Sequence, residues 1–158
     1  MIYFGVGLAL VALDIVTKIL ANTRLREIGT IPLIEDVFHL TYVENRGAAF
    51  GILQNQRWLF LIIALVFAAV LVFVLMRYKQ RPAVLNFGLC LMASGAFGNT
   101  IDRLWRGFVV DFLDFRLIDF PVFNVADICV CVGAGLLAIF FVFCDKTEKE
   151  CEEHVAED

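Results

Sequence analysis

Residues 58–76 read WLFLIIALVFAAVLVFVLM, nineteen positions without a charge. A helix rises 1.5 Å per residue, so ~20 such residues cross a hydrocarbon core about 30 Å thick. The stretch is apolar all the way round, with no polar face to give to water, and it reads as a transmembrane span. Working outward, three more stretches are long enough. One runs from about Ile2 to Leu20 and is interrupted by Asp14 and Lys18; the next, Pro82 to Ile101, is uncharged. It is rich in small residues (Ala93, Ser94, Gly95, Ala96, Gly98), which let neighbouring helices approach closely, so it is expected at the centre of the bundle. The last runs from about Val122 to Cys144 and contains one acid, Asp127.

Four spans nearly exhaust a chain of 158 residues, 61% of them hydrophobic. Soluble domains are closer to half apolar, so the composition agrees with a membrane setting. The expected fold is an all-α polytopic membrane protein, residues 1–144, with a charged tail over 145–158. Residues 22–56 form an outer element. Within it, IPLIEDVFHLTYV (31–43) is β-branched and aromatic with partial alternation, which predicts short strands, and Gly47 and Gly51 bracket a turn. Met1 is followed by neither a basic region nor an A-x-A site, so no cleaved signal peptide is expected.

Orientation follows from the basic loops. Arg77-Tyr-Lys-Gln-Arg-Pro82 holds three bases and no acid, and is assigned to the cytoplasm; Lys146 and Lys149 agree, since four spans return the chain to its starting side. Both termini are then cytoplasmic, and segments 22–57 and 102–121 face outward. The net charge of −4, without a clustered basic face, excludes a nucleic-acid partner. Of five cysteines, Cys90, Cys129, Cys131 and Cys144 sit in apolar runs, while Cys151 lies in the tail with His154; the other histidine is His39. Cys129 and Cys131, two apart, point away from each other on a helix, so neither metal nor cofactor is expected.

Ionisable residues within or beside spans are the informative ones. Asp14 and Lys18 are four apart on one helix face and read as a structural pair near the outer membrane surface, with Lys18 reaching up to water. The stretch GNTIDRLWRGFVVDFLDFRLIDFPVFNVAD (98–127) is denser, with Asp102, Asp111, Asp114, Asp119 and Asp127 beside Asn99, Arg103 and Asn124. Asp127 falls about five residues into the fourth span, roughly 7–8 Å from its start, where a lone carboxylate is costly. A second acid on the segment leaving span three is its natural partner. Two carboxylates held together share a proton, so one serves as base on a water and the other as acid. Asp114 and Asp119 read as solvated charges balancing Arg103, Arg106 and Arg116. Composition leaves Asp111 open between the two readings. Asn45 and Asn124 serve either a polarised amide or a turn.

Taken together, the motifs resemble the lipoprotein signal peptidases, the type II signal peptidases of bacteria. The resemblance is carried, in the family's order, by Asp14-Ile-Val-Thr-Lys18, Asn45-Arg-Gly-Ala-Ala-Phe-Gly51, Gly98-Asn99 with Asp102-Arg103, Val109-Val-Asp111-Phe, and Phe123-Asn124-Val-Ala-Asp127. It implies an aspartyl endopeptidase of the bacterial inner membrane that cuts prolipoproteins before a diacylglyceryl-modified cysteine, with its site at the outer face. It further implies that Asp111 and Asp127 are the catalytic pair and that Asn45, Asn99, Arg103 and Asn124 line the substrate site. Asp14, Lys18, Gly47 and Asp102 would support the structure, membrane lipid would surround it, and globomycin-type lipopeptides would inhibit. Two positions depart from many members: the link Arg116-Leu-Ile-Asp-Phe-Pro121 replaces a longer one carrying Trp-His, and Ile128 stands where Ser or Thr is common. Outside the resemblance, a small transporter or channel subunit using Asp127 as an ion site is the competing class; a scaffold leaves the intramembrane acid unexplained.

The orientation has a direct check. In intact cells a Lys79→Cys variant should resist a membrane-impermeant thiol reagent, while Asp36→Cys and Arg116→Cys react; labelling at position 79 before lysis would invert the topology.

Overall fold

The computed structural model describes residues 2–47, 52–77, 82–118 and 120–144. The Lys79 loop, the Gly51 side of the turn, Asp119 and the tail from Asp145 lie outside the described residues. Four helices are long and apolar enough to cross a membrane. They are α1 (Ile2–Leu20), α2 (Arg57–Arg77), α3 (Ala83–Trp105) and α4 (Val125–Ile139), the last continued by a π-helical turn over Phe140–Cys144.

The small residues of α3 do what their composition predicts: α3 packs against all three other spans, and most closely against α4. A Cβ on Gly95 would run into the Ala126 carbonyl of α4, and one on Gly98 into the Asp14 carboxylate of α1. The bare backbone at Gly98 thus lets an α1 carboxylate lie flat against α3. α2 has no buried residue and packs mainly on α3.

The helical path of α1 does not stop at Leu20. It continues through a π-helical stretch, Ala21–Leu25, and a last turn, Arg26–Ile28, so the first part of the expected β-rich segment is helical. Thr23 helps by donating its hydroxyl to the Ile19 carbonyl. Gly29, at φ 83°, then turns the chain into β1 (Thr30–Ile34), followed by β2 (Phe38–Asn45).

A third strand, β3 (Val109–Phe115), lies in the outward segment 102–121, where the sequence reading assigns no strand. The order is β1-β2-β3, all antiparallel, with a register irregularity between Leu40 and Val43. Val110 and Phe112 of β3 bury themselves with Ala21 and Leu25, so the helical extension is the floor on which the sheet rests. Phe123 then exchanges backbone hydrogen bonds with Leu113, which brings the start of α4 alongside β3.

Two span boundaries differ from the sequence reading, and both differences move candidate site residues. α3 runs on to Trp105, so Asp102 and Arg103 ride on its last turn instead of on the outer segment. There Asp102 pairs with Arg106, four residues on. α4 begins at Val125, not at 122, because Asn124 caps it: its side chain accepts the Asp127 N–H while the Asp127 carboxylate accepts the Asn124 N–H. Asp127 therefore sits in the first turn, at the helix end where negative charge is favoured. It is not deep in the span, as the sequence suggests.

The α3–α4 contact is testable. Gly95→Leu should lower the thermal midpoint of the detergent-solubilised protein by the equivalent of about 1–3 kcal/mol of overpacking. The same change at Gly5, whose Cβ position is open, should leave the midpoint in place.

Candidate active site

Asn45, Gly47, Asn99, Arg103, Asp111 and Asp127 line one cleft of about 680 Å³. β3 carries Asp111 and α4 carries Asp127, and the Phe123–Leu113 pairing brings the two elements together. Asp111 is 1% exposed, whereas Asp127 is half-buried.

Each of the four carboxylate oxygens accepts one N–H. Asp111 Oδ2 takes the Asn45 amide at 2.8 Å and Oδ1 the Asn124 amide at 2.6 Å. Asp127 Oδ1 takes the Asn99 amide at 2.8 Å and Oδ2 the Asn124 backbone N–H at 3.1 Å. Each asparagine is oriented by a donor at its other end, since an amide oxygen must face a donor. Gly47 N–H donates to Asn45 Oδ1, Lys18 Nζ to Asn99 Oδ1, and Asp127 N–H to Asn124 Oδ1.

Burial is the largest influence on Asp111 and pushes its carboxyl up to about 7; the negative charge of Asp127 adds to the rise, while the Asn45 and Asn124 hydrogen bonds and Lys18 oppose it. A buried acid beside a second acid keeps its proton to higher pH than an ordinary carboxyl, which is the property a proton donor needs.

The supporting residues lie behind the acids. Asp14 and Lys18 are each 1% exposed, so the lysine does not reach up to water. Its ammonium lies 2.8 Å from Asp14 and 3.2 Å from Asp102. Asp14 also accepts the Ala126 N–H, and Asp102 that of Val110. Asn124 is fully buried, so it stands beneath the acids and not on the cleft wall. Arg103 does not pair with its neighbour Asp102. It donates to the Gly47 carbonyl at 3.2 Å and lies 4.4 Å from the Phe60 ring centroid, clasping the outer turn to α2. A Cβ on Gly47 would collide with the Ile52 carbonyl, so the turn closes only around glycine.

Asp114 is not a solvated loop charge. It is 8% exposed on β3, where burial raises its pKa but hydrogen bonds from Thr41 and Arg116, with the Arg116 charge, outweigh this and hold it below the usual range. His39, on β2 opposite Asp114, is buried away from the cleft. No cluster that could hold a metal ion is present among the described residues.

Sequence reasoning missed the other walls: Glu44, Gln54, Phe120, Phe123, Cys131 and Val132. It also missed the helix start, although a signal was there. Asn124-x-x-Asp127 has the spacing of a capping box, which fixes Val125 as the first helical residue.

The fold and cleft define a multi-pass membrane protein with two carboxylates facing one pocket. The family profile described as signal peptidase II matches residues 6–143. The chain is 45% identical over 149 residues to the lipoprotein signal peptidase of Clostridioides difficile, covering 94% of this chain and all of that protein. It is 47% identical over 138 residues to that of Brevibacillus brevis, covering 87% and 92%. Two solved structures described as a bacterial membrane enzyme superpose with TM-scores of 0.83 and 0.80 at 33% and 32% identity. They cover 93% and 90% of this chain, and 90% and 93% of their own. The chain belongs to the signal peptidase II family, whose aspartic-type peptidases remove signal peptides from prolipoproteins.

Asn124 offers a clean separation of roles. Asn124→Ser keeps an oxygen to cap α4 but loses the amide donor to Asp111, whereas Asn124→Ala loses both. Both variants should cleave poorly, and the alanine variant should be less stable than the serine variant by about 1 kcal/mol in thermal unfolding.

Proposed function

We propose that Asp111 and Asp127 are the catalytic dyad and that the substrate is a prolipoprotein already carrying diacylglycerol on the cysteine after the scissile bond. The observation that carries the reading is the complete set of N–H donors to both acids on the wall of one cleft. Asp127, half-buried and more open to the cleft, is the base that takes a proton from water. The water oxygen attacks the scissile carbonyl carbon while Asp111 gives its proton to the carbonyl oxygen. Collapse of the tetrahedral intermediate breaks the C–N bond, the proton on Asp127 passes to the leaving amine, and the intermediate returns a proton to Asp111.

Asn45 and Arg103 would hold the substrate backbone beside the acids. The apolar flank of the cleft, from Phe120 to Phe123 and along Ile128, Cys131 and Val132, would take apolar parts of the substrate, and globomycin-type lipopeptides would compete there. Residues 1–144 would act as one unit in the bacterial cytoplasmic membrane, surrounded by lipid, with both termini cytoplasmic and the cleft at the outer face. A diacyl chain stays in the bilayer, so such a bond arrives at that surface.

The test is a gel-shift assay of a lipid-modified precursor. Asp111→Asn and Asp127→Asn should each abolish cleavage, because an amide can neither take nor deliver the proton. Asp114→Asn should cleave within a few-fold of the parent. The pH dependence follows from the sign of the Asp111 shift. Its proton is held up to about 7, so kcat/KM should fall as pH rises through that value and the donor is lost. It should fall again at low pH, where both acids are protonated and no base remains. Full activity in Asp127→Asn would sink the dyad.

A further inference from the structure

We propose that Lys18 is a positioning residue for hydrolysis, acting on Asp127 through the Asn99 amide, in addition to its ion pairs. The inference rests on the dyad reading of Asp111 and Asp127. An ammonium has three donors and no acceptor. Whatever part of Asn99 faces Lys18 at 2.9 Å must therefore be the carbonyl oxygen. That choice turns the Asn99 nitrogen toward Asp127 Oδ1, at 2.8 Å. Were the amide reversed, a nitrogen would face the ammonium and an oxygen would face the carboxylate, which is repulsive at both ends.

Asn124 Nδ2 also donates to Asn99 Oδ1, but at 3.2 Å and without charge, so Lys18 is the stronger director. The lysine is itself immobile. It is 1% exposed and held between Asp14 and Asp102, leaving Asn99 as its remaining polar contact. The line Lys18–Asn99–Asp127 runs from the buried part of α1 through α3 to the mouth of α4. Gly98 makes it possible, because a side chain there would displace Asp14. A lysine needed only for folding has no reason to point a donor at the asparagine whose side-chain amide donates to the proposed base.

A double-substitution cycle distinguishes the roles. Lys18→Met, Asn99→Ala and the pair are assayed on a diacylglyceryl-modified precursor, with kcat and KM measured on folded protein recovered by size exclusion. Asn99→Ala should lose about ten- to a hundred-fold in kcat, as expected when a hydrogen bond to a charged group is removed. Lys18→Met should lose kcat with KM nearly unchanged, and should cost less than about two-fold once Asn99 is already alanine. Losses that multiply, or a Lys18→Met protein that cleaves at the parental rate when folded, would overturn the proposal. Should Lys18→Met not fold, the cycle is run in an Asp14→Asn background, which removes one unbalanced acid and keeps an oxygen for the Ala126 N–H. The outcomes remain separable from those of the dyad. Inactive Asp111→Asn and Asp127→Asn proteins with a multiplicative cycle reject only the role of Lys18, whereas active ones reject the dyad itself.

Discussion

Asn124 has no exposed surface, and both ends of its amide are committed. Its oxygen takes the Asp127 N–H at the head of α4, and its nitrogen donates to Asp111 on β3 and to Asn99 on α3. One side chain therefore joins a helix start, a strand and a second helix, and it does so only in one amide orientation. A buried amide with an unmet donor or acceptor is costly, so the three elements cannot drift independently. The separation of the two acids is a consequence of this constraint.

Beneath that junction lies an ion cluster whose charges balance. Asp14 and Asp102 face Lys18, and Arg106 closes on Asp102, giving two positive and two negative groups. Charges at this depth are tolerated when paired and hydrogen-bonded. The carboxylates also serve the backbone: Asp14 receives the Ala126 N–H, one residue before Asp127, and Asp102 receives the Val110 N–H, one residue before Asp111. Asp14 and Asp102 thus grip the chain next to each member of the proposed dyad. Breaking the cluster would loosen both carboxylate positions and not merely one helix contact.

The same junction explains why the two acids differ. Asp111 is within a strand, paired with Val43 and almost wholly buried. Asp127 is at a helix N-terminus open to the cleft, where the partial positive charge of the helix end meets it. Burial favours a proton on the first and solvent access favours water at the second. The proposed division of labour between acid and base follows from where each residue falls in its element.

The sequence alone determined the four spans, because ~20 apolar residues in a row have few uses outside a bilayer. It also determined which residue types stand at each motif, and the order of the motifs supplied the family. Strand β2 is legible from its β-branched and aromatic run, whereas β3 is hidden by its two aspartates, which look like loop charges until a sheet covers them. Asp127 stands out along the chain for its depth, but the tertiary structure puts it in the first turn and makes it notable for its neighbours. Lys18 reads as a surface pair because spacing reports which residues share a helix face, not which helix covers that face. Only the packing of α3 against α1, at a glycine, decided that the face is buried. Hydrophobic patterning is a local property of the chain and is readable along it. Amide orientation and carboxylate pairing depend on atoms from residues far apart in sequence, and those meet only in the folded protein.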